Sequence, residues 1–200
     1  KFPYYKKLGY PEGVYRVGPL GRLNAVDQID TPLANAEFQR FKALNHGLPV
    51  ENTLHYHYAR LIETLFAAER ARVLLEDPDI LSTDIRNTHQ EPQEQGVGVI
   101  EAPRGTLIHH YWVNSYGQIS KANLIVATGH NNYAMSKAVD DVAKTYVHGP
   151  EISEGMLNRV EHAIRAHDPC LSCSTHAVGS MPMEVSVYDP HGNLLRVIRR

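Results

Sequence analysis

NTLHYHYARLIETLFAAERARVLL, residues 52–75, says most about the architecture of this chain. Tyr58, Leu61, Leu65 and Ala68 recur with the 3.6-residue period of an α-helix, Ile62 and Phe66 widen the apolar stripe, and Asp77-Pro78 stops it. This predicts one long helix with a single buried face. Toward the N-terminus, Leu33, Phe38, Phe41 and Leu44 mark a shorter helix that Asn45 to Pro49 terminates. Before it, Lys1 to about Thr31 is rich in Tyr, Gly and Pro and reads as an irregular, partly aromatic packing segment.

Toward the C-terminus, Ser82 to Gln95 is polar, carries Pro92 and reads as an exposed connection. Val97 to Ile100, Thr106 to Val113 and Lys121 to Thr128 have strand-like composition, with Asn114 to Gly117 as a hairpin turn between the last two. Asn132 to Val147 and Ser153 to His167 are predicted helices, the second with Met156, Val160 and Ile164 on one face. Glu184 to Val197 reads as two short strands around Asp189 to Asn193. The expected class is therefore α+β, mainly helical, with long helices packed against a small antiparallel sheet near Arg104.

With 200 residues, 42% hydrophobic and 21% charged, the chain can bury a core. Twenty Lys and Arg against 22 Asp and Glu give a net charge of −2, which supplies no field for nucleic acid or an anionic membrane. No apolar run approaches the roughly 20 residues needed to span a bilayer. Lys1 is not preceded by Met and no basic-then-apolar leader follows, so a processed or truncated, cytoplasmic product is expected.

Chemistry concentrates in DPCLSCSTH, residues 168–176. Asp168 can cap a helix and Pro169 can open it, and on that helix Cys170, Cys173 and His176, spaced by three, share a face. A helix N-terminus favours the thiolate, the form that ligates nickel, iron or zinc. Three readings compete on spacing alone. The two cysteines can be a buried reduced pair or a thioredoxin-like dithiol, although a helix rather than a strand precedes them. They can also be metal ligands, but a structural zinc site has no second cysteine pair to close it. The remaining candidates are weaker. No pair among His55, His57, His109, His110 and His130 has the i, i+4 spacing of a helical metal clip. Met181-Pro182-Met183 reads as packing or an exposed turn.

DPCLSCSTH resembles the C-terminal signature of nickel-iron hydrogenase large subunits, and EAPRG at 101–105 resembles a second signature of that family. NLIVATGHNN at 123–132 resembles the segment lining the cofactor pocket in its soluble, NAD(P)-linked branch, and KFPYYKK and YRVGPLGRLN also resemble that branch. Three motifs stand in family order.

The resemblance implies that Cys170 is a terminal nickel ligand and that Cys173 bridges nickel to an iron carrying carbon monoxide and cyanide. It implies a magnesium, or iron, at His176, with Arg104 over the open bridging position, Asp168 beside it, and the Thr128 hydroxyl donating to a cyanide. Soft thiolates suit both metals, and a fixed cation in a dry pocket helps polarise H₂. The implied activity is reversible, heterolytic H₂ cleavage. Electrons would pass through an iron-sulfur small subunit toward NAD(P) held by diaphorase subunits. No GxGxxG fingerprint occurs here, so the NAD linkage rests on resemblance.

Two features depart from the family. It needs an upstream Arg-x-Cys-Gly-x-Cys pair and an acidic magnesium ligand, which a chain with two cysteines cannot supply, so a fragment, inactive alone, is expected. Mature members end after the motif's histidine. Residues 1–176 are therefore expected to be the C-terminal part of the large-subunit domain and 177–200 a processing peptide, removed by a maturation endopeptidase after nickel-insertion proteins have acted. A tail retained permanently is the competing reading. The alternative of another class is a non-catalytic metal-binding or scaffold chain, including an apo precursor recognised by those proteins. Retained Cys170 and Cys173 argue against the related respiratory-complex subunit that lacks nickel.

Overall fold

In a computed structural model the described residues are 2–86, 93–149, 151–170 and 184–199. The predicted long helix is α3, His55–Leu75. It packs against α1, Pro19–Ala25, and α2, Pro32–Ala43. The core joins Leu20 and Leu23 of α1, Ala34, Phe38 and Phe41 of α2, and Tyr56, Ala59 and Ile62 of α3, with Val50 and Ala166 completing it. The stripe expected from the periodicity is rotated relative to this face. Leu61 is 68% exposed, while Tyr58, Leu65 and Phe66 pack at the core's margin. The cause is the position of α1 and α2, which cover the side of α3 bearing Tyr56, Ala59 and Ile62.

One feature here departs from the sequence reading, and a second lies beyond it. Gly18-Pro19, within the segment expected to be irregular, opens α1: proline at the first helical position loses no intrahelical bond, and Leu20 and Leu23 drive the short helix into the core. Thr31 makes no side-chain cap for α2. Instead Glu69 of α3 reaches across and accepts hydrogen bonds from Leu33 N at 3.1 Å and Ala34 N at 2.9 Å, capping α2 from its neighbour.

Beyond a short 3-10 turn at Pro78–Leu81, strands β1, Gln95–Ala102, β2, Gly105–Val113, and β3, Ile119–Ile125, form an antiparallel sheet in the order β1-β2-β3. Ala102 pairs with Gly105, so Pro103 and Arg104 are the two-residue tip of the first hairpin. The expected third strand stops short of Thr128. Ile125 is its last residue, and Thr128 lies in a helical turn, α4, Ala127–His130, that leads into α5, Asn132–Tyr146. Next is α6, Glu154–Ala166, which packs against α5 and touches α3; its buried residues are Leu157, Ala163 and Ala166, while Met156, Val160 and Ile164 are half-buried. The C-terminal strands β4, Glu184–Tyr188, and β5, Leu194–Arg199, form a separate hairpin. Among the described residues no helix is long and apolar enough to cross a membrane.

Candidate functional site

The hairpin tip, α4 and the segment after α6 meet at one place, and each is held by contacts that local sequence does not announce. Arg22 of α1 fixes the tip. Its guanidinium is bidentate to Glu63, with Nε to Oε1 at 2.7 Å and a terminal nitrogen to Oε2 at 2.6 Å. It also donates to Glu101 at 2.6 Å, to the Ala102 carbonyl at 2.8 Å and to the Pro103 carbonyl at 2.9 Å. Charge-assisted, forked bonds of this kind fix orientation as well as position. Burial works against the Arg22 charge, and Glu63 and Glu101 more than offset it, leaving its pKa raised.

Behind the tip, residues 17 and 18 pass so close that neither Gly18 nor Gly105 has room for a side chain. A Cβ on Gly18, where φ is 90°, would lie 3.0 Å from the Arg104 carbonyl oxygen, and one on Gly105, where φ is 133°, would collide with the Val17 side chain. Both positions therefore need glycine.

Arg104 reaches from this tip to the segment after α6. Its Nε donates to the Asp168 carbonyl at 2.7 Å and lies 3.2 Å from the carboxylate Oδ2. Asp168 adopts φ 49°, a left-handed conformation that Asp tolerates better than most residues. Arg60 of α3 braces the same backbone: it donates to the Ala166 carbonyl at 3.1 Å and lies 4.0 Å from Asp168 Oδ2. Two guanidiniums thus flank one carboxylate. Arg104 and Asp168 are each 45% exposed at their side chains, so the pair orients more than it stabilises.

Thr128 is buried, and its Oγ1 accepts a hydrogen bond from the Cys170 backbone N–H at 3.2 Å. The hydroxyl proton is left to be donated elsewhere. Cys170 is disulfide-bonded in this structure, so the thiolate that a metal requires belongs to the reduced chain. The helix expected to open at Pro169 does not begin there. The backbone of Asp168 is not the extended one of an N-cap, and Pro169 and Cys170 belong to no regular element. Cys173 and His176 lie outside the described residues. Among the described residues, no three His, Cys, Asp or Glu side chains form a metal-binding group.

Two buried histidines flank this arrangement. His167 precedes Asp168; its Nδ1 pairs with the Ala163 carbonyl at 3.1 Å, its ring centroid is 4.7 Å from that of Tyr56, and its Nε2 has no partner among the described residues. Burial pushes its pKa down, assisted by the charges of Arg16 and Arg60 and opposed by the Ala163 carbonyl. His130 pairs through Nδ1 with Tyr15 Oη at 2.6 Å. Its Nε2 meets no partner at full hydrogen-bond geometry among the described residues, although the Thr106 backbone and Glu101 favour its charged form; burial outweighs both and lowers the pKa. Tyr56 is deeply buried and its hydroxyl pKa is pushed up to about 12 by desolvation.

Four of the residues singled out from sequence therefore converge as two bonded pairs, Arg104 with Asp168 and Thr128 with Cys170. Arg22, Arg60, Tyr56 and Asn131 hold those pairs; Arg60 and Tyr56 lie outside every quoted motif, whereas Arg22 and Asn131 lie within YRVGPLGRLN and NLIVATGHNN without being singled out there as site residues.

The profile of the nickel-dependent hydrogenase family matches residues 1–176. The chain belongs to that family. It is 50% identical over 199 residues to the NAD-reducing hydrogenase HoxS subunit beta of Cupriavidus necator, covering 98% of this chain and 41% of that one. It is 45% identical over 203 residues to a subunit of the F420-non-reducing hydrogenase of Methanothermobacter thermautotrophicus, covering 99% and 42%. The crystal structure of an NAD+-reducing NiFe-hydrogenase in the H₂-reduced state superposes with a TM-score of 0.82 at 50% identity, over 88% of this chain and 39% of that one. The reduced Ni-Fe-Se hydrogenase of Desulfomicrobium baculatum shares the fold, with a TM-score of 0.55 at 21% identity over 84% of this chain and 36% of that one. The chain spans about two fifths of the length of the curated relatives it matches.

Proposed function

We propose that residues 1–176 are the C-terminal part of the catalytic subunit of a nickel-iron hydrogenase, carrying half of the thiolate ligands for the centre that cleaves H₂ heterolytically and reversibly. The observation that carries this reading is the juxtaposition of two bonded pairs. The Thr128 hydroxyl receives the Cys170 amide, and Arg104 grips Asp168 two residues away.

The residues fit the group. Reduced Cys170 and Cys173 are soft donors suited to nickel and low-spin iron, and His176 suits a neighbouring magnesium or iron. The other two thiolates belong to the part of the relatives' sequence that these residues do not span. When bound, the centre supplies a soft-ligated metal pair, with carbon monoxide and cyanide on iron, at which H₂ is polarised. The chain's own side chains do the rest. Thr128 has its hydroxyl proton free to donate to a cyanide, because its oxygen accepts from Cys170 N–H. Arg104 holds a fixed positive charge whose direction is set by the Asp168 carbonyl and carboxylate, so little reorganisation accompanies charge separation. The reduced thiolate of Cys170 accepts the proton released when H₂ is split.

Residues 177–200 act as a processing peptide under this reading. The family match ending at residue 176 supports that boundary. The match to the Cupriavidus relative spans 98% of this chain, so that relative encodes a tail of this kind as well. An iron-sulfur small subunit would take the electrons and diaphorase subunits would pass them to NAD(P), a cytoplasmic assembly of the NAD-reducing kind that relative's name describes. The maturation endopeptidase and nickel-insertion proteins would act on the precursor. The test is H₂/D₂O isotope exchange by the natively purified complex: formation of HD supports the reading, and a nickel-loaded complex that forms none refutes it.

A further inference from the structure

The backbone of Val17 is held from two sides by residues to which the sequence reading assigns no role, Asn131 and Tyr56. Its N–H donates to Asn131 Oδ1 at 2.9 Å, and its carbonyl accepts from Asn131 Nδ2 at 3.2 Å and from the Tyr56 hydroxyl at 3.0 Å. Asn131 is 2% exposed, so both halves of its carboxamide are used where unpaired polar atoms are costly. Each group meeting at Val17 leads to a different part of the site. Asn131 N donates to the Thr128 carbonyl at 3.0 Å, within the turn whose threonine receives the Cys170 amide. Val17 and Gly18 lie against Gly105 and the Arg104 carbonyl, the tip that carries the guanidinium. The Tyr56 ring lies against His167, the residue before Asp168. Val17 is therefore a point through which α4, the hairpin tip and the segment after α6 are registered to one another.

We infer that Asn131 is a positioning residue: by clasping Val17 through both backbone groups it sets Arg104 and Thr128 relative to Cys170. The inference rests on the hydrogenase reading for its consequence in catalysis, but its geometric content stands apart from that reading. Replacement of the carboxamide releases the Val17 strap, loosens the hairpin tip and the turn bearing Thr128, and leaves the thiolates themselves untouched. A misplacement of about 1 Å in such a constellation lowers turnover on the order of 100-fold.

The test uses the full-length subunit in its complex, as wild type, Asn131→Ala, Asn131→Asp and Tyr56→Phe. Asn131→Asp keeps the acceptor for Val17 N–H and loses the donor. Tyr56→Phe keeps the ring against His167 and removes only the hydroxyl, so it decides the matter if the Asn131 variants do not fold. The readouts are metal content, the infrared cyanide bands, kcat and KM for H₂, and hydrogen–deuterium exchange of peptides covering residues 103–106 and 166–170. The expected result for Asn131→Ala is wild-type nickel and iron, shifted cyanide bands, and kcat lower by on the order of 10- to 100-fold at nearly constant KM. Exchange should rise at those two segments and not in α2 or α3. Asn131→Asp recovers part of each change, and Tyr56→Phe shows a smaller change of the same kind. Unchanged exchange at both segments in folded variants, or a rise spread equally through α2 and α3, overturns the inference. A wild-type complex without nickel would instead refute the hydrogenase reading, and the exchange pattern would still decide the role of Asn131.

Discussion

Arg104 and Asp168, 64 positions apart, are joined through both main chain and side chain: the arginine Nε donates to the aspartate's own carbonyl at 2.7 Å while lying 3.2 Å from its carboxylate. A lysine has one compact charge and no planar fork, so it cannot hold both contacts in one orientation. Arg104→Lys is expected to keep nickel at the wild-type level and to lower H₂ oxidation on the order of 100-fold, the range seen when one preorganised charge-stabilising donor is lost. Turnover within a factor of about two of wild type would show that orientation of the guanidinium is unimportant.

Arg60 braces the same segment from the other side. Arg60→Met removes the hydrogen bond to the Ala166 carbonyl and the second cation beside Asp168. The bond is partly buried and worth about 1 kcal/mol, so the midpoint of denaturant unfolding should fall with the slope unchanged. The ion pair, at 4.0 Å and half-exposed, is expected to add little.

Gly105 permits the close approach of Val17. Gly105→Ala places a methyl into the Val17 side chain at a φ of 133°, which costs about 1–3 kcal/mol and displaces the Arg104 tip. Both unfolding stability and H₂ turnover should fall together. Gly96→Ala, in open space on β1, is the control and should change neither.

Thr128→Val removes the acceptor for Cys170 N–H and the hydroxyl proton at once; Thr128→Ser keeps both. The valine variant is expected to lose about 1 kcal/mol of stability and to shift the infrared cyanide bands. The serine variant should match wild type. Identical bands in all three proteins would remove Thr128 from contact with the centre.

His130 and His167 are both held below the ordinary imidazole pKa of about 6.5, chiefly by burial. The unfolded chain therefore binds more protons as pH falls below about 6.5, and the stability present at neutral pH is lost on acidification. His167→Phe keeps a ring against Tyr56 and removes one titrating group. It should flatten the decline of stability between about pH 7 and about pH 5, and an unchanged slope would show that His167 is protonated without penalty.

The elements legible in the sequence are those with sustained periodicity: α2, α3, α5, α6 and the strands of the two antiparallel sheets appear within a few residues of their expected bounds. Short α1 is not legible, because Gly18-Pro19 has the same composition whether it turns the chain or opens a helix, and only the burial of Leu20 and Leu23 decides. Thr128 reads as a strand end because it follows the continuous apolar run Leu124 to Ala127, yet the chain turns into α4 to bring its hydroxyl against Cys170. The motif residues Arg104, Asp168 and Cys170 stand out by resemblance. Arg60 and Tyr56 do not, and Asn131, although inside NLIVATGHNN, has no role assigned there, since their partners lie 39 to 114 positions away and no local pattern encodes a contact of that range.

Whether residues 1–176 supply thiolates to a nickel-iron centre is decided by nickel and iron quantification with infrared spectroscopy of the carbonyl and cyanide region on the natively purified subunit. A Cys170→Ser variant is measured beside it, with intact mass recorded for both. Wild type is expected to hold stoichiometric nickel, to show diatomic-ligand bands and to have a mass ending at His176. The variant is expected to lack nickel and to retain residues 177–200. Wild-type protein without nickel or diatomic-ligand bands, or a Cys170→Ser variant that binds nickel as wild type does, would contradict the assignment.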